Sequence, residues 1–171
     1  MGRFLIPDFV FDCFSDITPA FLAENRICAL LCDIDNTLSP YEDALPSEAV
    51  RAWVSRLADC GVRIALISNN SAARVEQYNS ALSVPAYADS KKPCRAPYRA
   101  AMEALCVPKE QCAVLGDQLF TDVWSAQLVG IRSILVPPIR DKKTLFFRFK
   151  RALETPFMKR YYRLEKKADD R

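Results

Sequence analysis

The feature that most constrains this chain is a series of short apolar runs, each closed by polar or acidic residues and followed by a stretch with helical spacing. Ile27 to Cys32 is the first run, and it closes on Asp33 and Asp35. Val62 to Ile67 closes on Ser68, Asn69 and Asn70, and Pro85 to Ala88, Ala113 to Leu115 and Ser133 to Val136 repeat the pattern. Apolar runs bounded in this way read as buried strands. Between them, Ser47 to Cys60 places Val50, Trp53, Val54 and Leu57 on one helical face, with Gly61 as its cap. A second helix runs through Arg74, Val75 and Tyr78, and Pro97 to Leu105 and Thr121 to Leu128 read as two more. Strands alternating with helices imply a parallel sheet covered on both faces. The expected fold is α/β, a Rossmann-like three-layer α/β/α domain with a five-stranded parallel sheet.

At 171 residues the chain suits one compact domain. What it lacks is as informative. Histidine is absent, which removes Ser-His-Asp and Cys-His catalysis and imidazole-ligated metals. The four glycines (2, 61, 116 and 130) form neither a G-x-x-x-x-G-K loop nor a G-x-G-x-x-G turn. Seven cysteines include no C-x-x-C pair, and none is followed six positions later by arginine, so they read as reduced core thiols. Chemistry in this chain falls to carboxylates, hydroxyls, lysine or arginine, with a hard metal.

No apolar run approaches the roughly 20 residues that cross a bilayer. The aromatic stretch from Phe4 to Phe14 is broken by Asp8 and Asp12 and lacks a small-residue cleavage pattern, so no secretory leader is expected. A cytoplasmic protein is the expectation. Three segments follow from composition: an N-terminal extension over residues 1–26 that packs on the core, the core itself over 27–139, and a basic aromatic helical tail over 140–171. The tail carries twelve Lys/Arg against five Asp/Glu, a net +7, whereas residues 1–139 carry a net −4. Leu145, Phe149, Ala152 and Leu153 fall on one helical face until Pro156, where the helix is expected to break, and Lys166 to Arg171 is expected to lack order. Such a tail either docks its apolar face on the sheet or touches an anionic membrane surface peripherally; nucleic acid is the least favoured partner.

In an open parallel sheet, ligands bind outside the carboxyl ends of the strands. Here those ends carry Asp33-Ile34-Asp35-Asn36-Thr37-Leu38, then Ser68-Asn69-Asn70, then Lys91-Lys92-Pro93, then Gly116-Asp117 followed by Thr121-Asp122. Taken singly, each has a plainer reading: turn or cap for the aspartates, helix N-cap for Ser68, solvated surface for the lysines. Their appearance in order at successive strand ends outweighs those readings. Clustered carboxylates repel and are costly to bury, so a cation is implied, and with oxygen ligands alone Mg²⁺ is the natural one. Asp33 could then attack phosphorus, and Asp35 could protonate the leaving oxygen and later deprotonate water.

The segment Asp33 to Leu38 resembles the first motif, D-x-D-x-[TV]-[LV], of the haloacid dehalogenase superfamily of phosphohydrolases. Ser68, Lys92 before Pro93, and Gly116-Asp117 with Asp122 resemble its second, third and fourth motifs. The resemblance implies a HAD-like fold with Asp33 as nucleophile and Asp35 as acid/base. It implies Mg²⁺ held by Asp33, Asp117 and the backbone carbonyl of Asp35, with phosphate bound by Ser68, Asn69 and Lys92. Thr37, Gly116 and Asp122 would support the site. More narrowly, Asp16-Ile17-Thr18-Pro19, Ser68-Asn69-Asn70 with Arg74-Val75, and Gly116-Asp117-Gln118 resemble the YqeG-type branch of subfamily IIIA, to which mitochondrial phosphatidylglycerophosphate phosphatases are similar.

Neither Leu38 to Ser68 nor Ser68 to Lys92 holds more than about one helix and one strand, which leaves no room for a cap domain. An open site suits a phosphorylated substrate presented at a surface, such as a phospholipid headgroup, since small metabolites benefit from a closing lid. The alternatives are the same chemistry on a sugar, nucleotide or phosphoprotein, or a non-catalytic RNA- or partner-binding module using the basic tail.

Overall fold

The structure, a computed structural model, describes residues 4–140 and 145–169, without the side chains of 145–151 and 167–169. Its centre is a parallel sheet of strands β1 (Phe9–Val10), β2 (Ala29–Cys32), β3 (Arg63–Ile67), β4 (Ala86–Tyr87), β5 (Cys112–Gly116) and β6 (Arg132–Leu135). The order across the sheet is β1-β6-β5-β2-β3-β4. The chain runs outward from β2 to β3 and β4, then returns to lay β5 on the other side of β2. The reversal between β2 and β5 opens a crevice at their carboxyl ends, where an α/β sheet binds its ligand.

Alternation along the strands divides the core. Leu30, Cys32, Ile64, Leu66, Ala113 and Leu115 face one layer, under helix α2 (Glu48–Asp59) and helix α3 (Ala72–Asn79). Ala29, Leu31, Ala65, Ile67 and Val114 face the other, under helix α4 (Arg95–Leu105) and helix α5 (Trp124–Val129). Both faces are covered, so the central strands are buried along their whole length. Only α2 lies between β2 and β3 and only α3 between β3 and β4, so among the described residues no cap covers the carboxyl edge.

Six strands stand where the sequence predicts five. The addition is β1, two residues long, and its pairing comes from far away: Phe9 lies opposite Ile134, and Asp8 accepts from the Ser133 N–H at 2.9 Å. A strand this short has no periodicity to read. From there the chain enters the layer on the α2 side. Phe14 meets Trp53 edge to face at 5.3 Å, the Trp53 indole donates to the Ile17 carbonyl at 3.0 Å, and Leu22 of helix α1 (Pro19–Glu24) is fully buried.

The tail forms one helix, α6 (Leu145–Asp169), which passes through Pro156 instead of stopping there. Proline forfeits one backbone hydrogen bond in a helix interior, and here contacts on both sides of it hold the helix down. Glu154 accepts the Leu119 N–H at 3.1 Å, and the Phe157 ring meets Phe120 at 6.1 Å. The docked face is Glu154, Phe157, Met158 and Tyr161, while Ala152 and Leu153, predicted to pack, are exposed. The side chains of Leu145 and Phe149 lie outside the described residues. Helix also continues through residues 166–169, where disorder was expected; residues 170 and 171 lie outside the described residues.

Candidate active site

Asp33 is the first residue beyond β2, and its N–H still donates to the Leu115 carbonyl at 2.8 Å, which anchors it between the two strands of the crevice. The chain then folds tightly. Asn36 takes a left-handed conformation (φ 66), its N–H reaches the Ser39 carbonyl at 2.7 Å, and Leu38 and Ser39 both donate to the Ile34 carbonyl. Asparagine is among the few residues that tolerate this region. The turn brings Thr37 back over Asp33, whose Oδ2 accepts the Thr37 hydroxyl at 2.9 Å.

Lys92 arrives from beyond β4. Asn69, predicted as a phosphate ligand, accepts the Lys92 backbone N–H at 2.7 Å and so positions the lysine. The Lys92 ammonium, on a side chain 2% exposed, sits 2.5 Å from Asp33 Oδ1 and 2.7 Å from Asp122 Oδ1. Burial alone would lower its proton affinity, but Asp122 and Asp33 outweigh it and raise the pKa well above the ordinary lysine value. Burial pushes Asp33 up to about 6, with Lys92 opposing and Asp122 adding to the shift.

Asp117 follows β5 and is fully buried, and Asp122 lies on a single π-helical stretch, Leu119–Val123. Such π-turns are frequent at functional sites; Thr121 to Val123 was predicted as ordinary helix. Asp122 Oδ2 accepts from the Thr121 hydroxyl at 3.1 Å and the Gln118 N–H at 3.3 Å. Gly116 is needed because a Cβ there would come 2.3 Å from Asp122 Cβ and Cγ. Carboxylate oxygens of Asp33, Asp117 and Asp122 come within 4.8 Å of one another. Asp35 was expected to join a metal through its backbone carbonyl, and its carboxylate is engaged elsewhere. It receives Arg74 at 3.2 Å, Asn70 at 3.3 Å and Ser68 at 3.5 Å. Ser68 does not cap α3, whose N-cap position is Ser71. Arg74, Asn70 and Tyr41 are site residues that sequence reasoning did not assign; the Arg74-Val75 pair that follows Ser68-Asn69-Asn70 was the available signal. A cavity of about 230 Å³ opens over Asp33, Asp35, Ser68 and Lys92, with Tyr41 and Thr121 at its wall.

Comparison with known proteins meets this geometry. A HAD-hydrolase-like family model matches residues 90–138, the stretch that holds Lys92, Gly116, Asp117 and Asp122. The "Probable phosphatase YqeG" of Bacillus subtilis (strain 168) is 31% identical over 155 residues, 90% of each chain. The chain belongs to the YqeG-type branch of the HAD phosphatases. Two solved structures share the fold of this YqeG-type phosphatase. An uncharacterized protein from Listeria monocytogenes serotype 4b aligns with TM-score 0.54 at 15% identity, over 69% of this chain and 85% of the other. The cobalt-bound deoxy-D-mannose-octulosonate 8-phosphate phosphatase of Haemophilus influenzae aligns with TM-score 0.51 at 14% identity, over 82% and 91%. The YqeG-type site therefore sits on a HAD-like core with its carboxyl edge uncapped.

Proposed function

We propose that this YqeG-type phosphatase is a Mg²⁺-dependent phosphomonoester hydrolase that works through an aspartyl-phosphate on Asp33, on a lipid headgroup presented at a membrane surface. The observation that carries the chemistry is the buried triad of Asp33, Asp117 and Asp122 with Lys92 between two of its members. Three carboxylates and one ammonium leave a net negative well that a divalent ion offsets. The donors are all hard oxygens, which suits Mg²⁺, and the Haemophilus influenzae phosphatase is known in a cobalt-bound form. Asp33, Asp117 and Asp122 would hold the ion, with the Asp35 carbonyl as a further oxygen. When bound, it neutralises phosphoryl charge facing the carboxylates.

The chain's own groups supply the rest. Lys92 and Ser68 hold phosphoryl oxygens. Asp33 forms its bond to phosphorus as the bond to the leaving oxygen breaks, and Asp35 gives that oxygen a proton. Asp35 then takes a proton from the water that attacks the aspartyl-phosphate, which frees Asp33 and inorganic phosphate.

The size of the cavity supports a large substrate. About 230 Å³ holds a phosphoryl group and little more, below the ~300–1,000 Å³ of pockets that enclose a whole small molecule. Exposed Tyr41, Leu45 and Ile139 belong to two segments that meet beside it, tied by the Ile139 N–H to the Asn36 carbonyl and by Arg140 to Glu42 at 3.5 Å. Lys159, Arg163 and Lys166 of α6 are exposed cations. Apolar and basic side chains together favour an anionic lipid surface. No helix of the described residues is long and apolar enough to cross a membrane.

The test is phosphate release from phosphatidylglycerophosphate in anionic vesicles, with Mg²⁺ or chelator, for wild type and Asp33→Asn. Release that needs both Mg²⁺ and Asp33 is expected. Turnover of soluble sugar, nucleotide or phosphopeptide phosphates with none from vesicles would discard the lipid and keep the chemistry. Activity that survives both chelator and Asp33→Asn would end the mechanism.

A further inference from the structure

Asp35 lies in the cavity wall, and its two carboxylate oxygens have different surroundings. Oδ1 is 3.2 Å from the Arg74 guanidinium in a charge-assisted contact. Oδ2 has two neutral neighbours at longer range, Asn70 Nδ2 at 3.3 Å and the Ser68 hydroxyl at 3.5 Å. Charged hydrogen bonds are about twice as strong as neutral ones, so Oδ1 is the fixed oxygen and Oδ2 the one a substrate can address. Arg74 is itself immobilised. Its other arm donates to the Ala44 carbonyl at 3.1 Å, and its guanidinium lies 5.4 Å from the centre of the Tyr78 ring. Tyr78 is fully buried and shares a 2.7 Å hydrogen bond with Ser39, which closes the tight turn carrying Asp35.

A guanidinium tied to a carboxylate and a carbonyl and resting over a ring is held in place against Asp35. Resting on the phosphatase reading above, we infer that Arg74 is the positioning residue for the acid/base, anchoring Asp35 Oδ1 so that Oδ2 faces the leaving oxygen. In the first step the proton on Oδ2 passes to the leaving oxygen as its bond to phosphorus breaks and the Asp33–phosphorus bond forms. In the second, Oδ2 takes a proton from water as the water oxygen bonds to phosphorus and the Asp33–phosphorus bond breaks. Without Arg74 the carboxylate loses its aim.

The test uses kcat/KM, which spans substrate binding and the first step but not the second, for phenyl phosphate and 4-nitrophenyl phosphate in Mg²⁺. Phenolate is the poorer leaving group and needs the proton more. Arg74→Ala is expected to lose on the order of ten- to a hundredfold on phenyl phosphate and several-fold less on 4-nitrophenyl phosphate, within the range of acid catalysis. Asp35→Asn should show the same skew, the double variant no additional skew, and Arg74→Lys partial recovery. If Arg74→Ala does not fold, Arg74→Met, which keeps a stem over Tyr78, takes its place. Equal losses on both esters overturn the proposal in favour of a structural or substrate-binding role. No skew in Asp35→Asn removes the acid role of Asp35 and the proposal with it, whereas wild-type turnover in Asp33→Asn removes the phosphatase mechanism itself.

Discussion

The Glu154 carboxylate, on the last helix of the chain, accepts the backbone N–H of Leu119 at 3.1 Å in a buried contact. Leu119 begins the π-helical stretch that carries Asp122 and follows Asp117 by two residues. The C-terminal helix therefore bears on the stretch that carries Asp122, across the 35 positions that separate Glu154 from Leu119.

Glu154→Ala leaves the Leu119 N–H buried without this acceptor, a loss of about 1–3 kcal/mol. A loosened stretch from Leu119 to Val123 also spreads the carboxylates. The expected outcome is a lower denaturation midpoint together with a higher Mg²⁺ concentration for half-maximal activity. Titrating Mg²⁺ against rate for both proteins checks it, and an unchanged half-saturation point would confine Glu154 to stability.

Lys92→Met strands Asp33 and Asp122 against each other. Removing one partner of a buried charge pair costs about 3–5 kcal/mol, and losing a donor to the developing phosphoryl charge costs on the order of a hundredfold in rate or more. Mg²⁺ should restore much of the stability and none of the rate. Lys92→Arg should not rescue, because the ammonium occupies a gap of 2.5 and 2.7 Å between two carboxylates. Thermal melts and initial rates at saturating Mg²⁺ read both effects.

Gly116→Ala puts a methyl 2.3 Å from Asp122 Cβ and Cγ, backed by a fully buried strand that cannot yield. Overpacking of this kind costs about 1–3 kcal/mol. The group pushed aside is the carboxylate that holds Lys92, so activity at saturating substrate should fall further than stability does. Gly130→Ala, where a Cβ meets open space at φ 75, serves as control: it should cost stability from backbone strain and leave the specific activity of the folded enzyme unchanged.

Burial raises Asp33 to about 6, against an ordinary 3.8. Between these values the folded, metal-free protein keeps a proton that the unfolded chain has released. Stability therefore falls as pH rises from about 4 to about 6 and levels off above. The raised Lys92 value acts only at the alkaline end, where its contribution is lost as pH climbs past the ordinary lysine range. Denaturant titrations in chelator at several pH values should show the acid-side slope. Asp33→Asn should abolish it, and Mg²⁺, which competes with the proton, should flatten it.

Most of the candidate site is legible in the sequence, because its parts are local. Asp33 and Asp35 share one turn, Asp117 and Asp122 one loop, and each group ends or follows an apolar run. The parallel sheet and the absence of a cap followed from the same runs and from the short spacers between them. What stayed hidden lay in pairings between distant residues. Strand β1 exists because Ser133 and Ile134 meet Asp8 and Phe9, and nothing in residues 8–10 announces it. The tail reads as an amphipathic helix ending at Pro156, yet its docked face is set by Leu119 and Phe120, which present a buried N–H and a ring to Glu154 and Phe157.

By itself the sequence determined which groups stand at the carboxyl edge of the sheet, since strand periodicity and chain order are properties of neighbouring residues. The tertiary structure decided how those groups face one another. It set Lys92 between Asp33 and Asp122, turned Asp35 toward Arg74, and joined Asp122 to Asp33 and Asp117 in one triad. The reason is geometric: the β2–β5 pairing and the turn at Asn36 place side chains dozens of residues apart within a few ångströms, and short-range charge and hydrogen-bond energies act only at that distance.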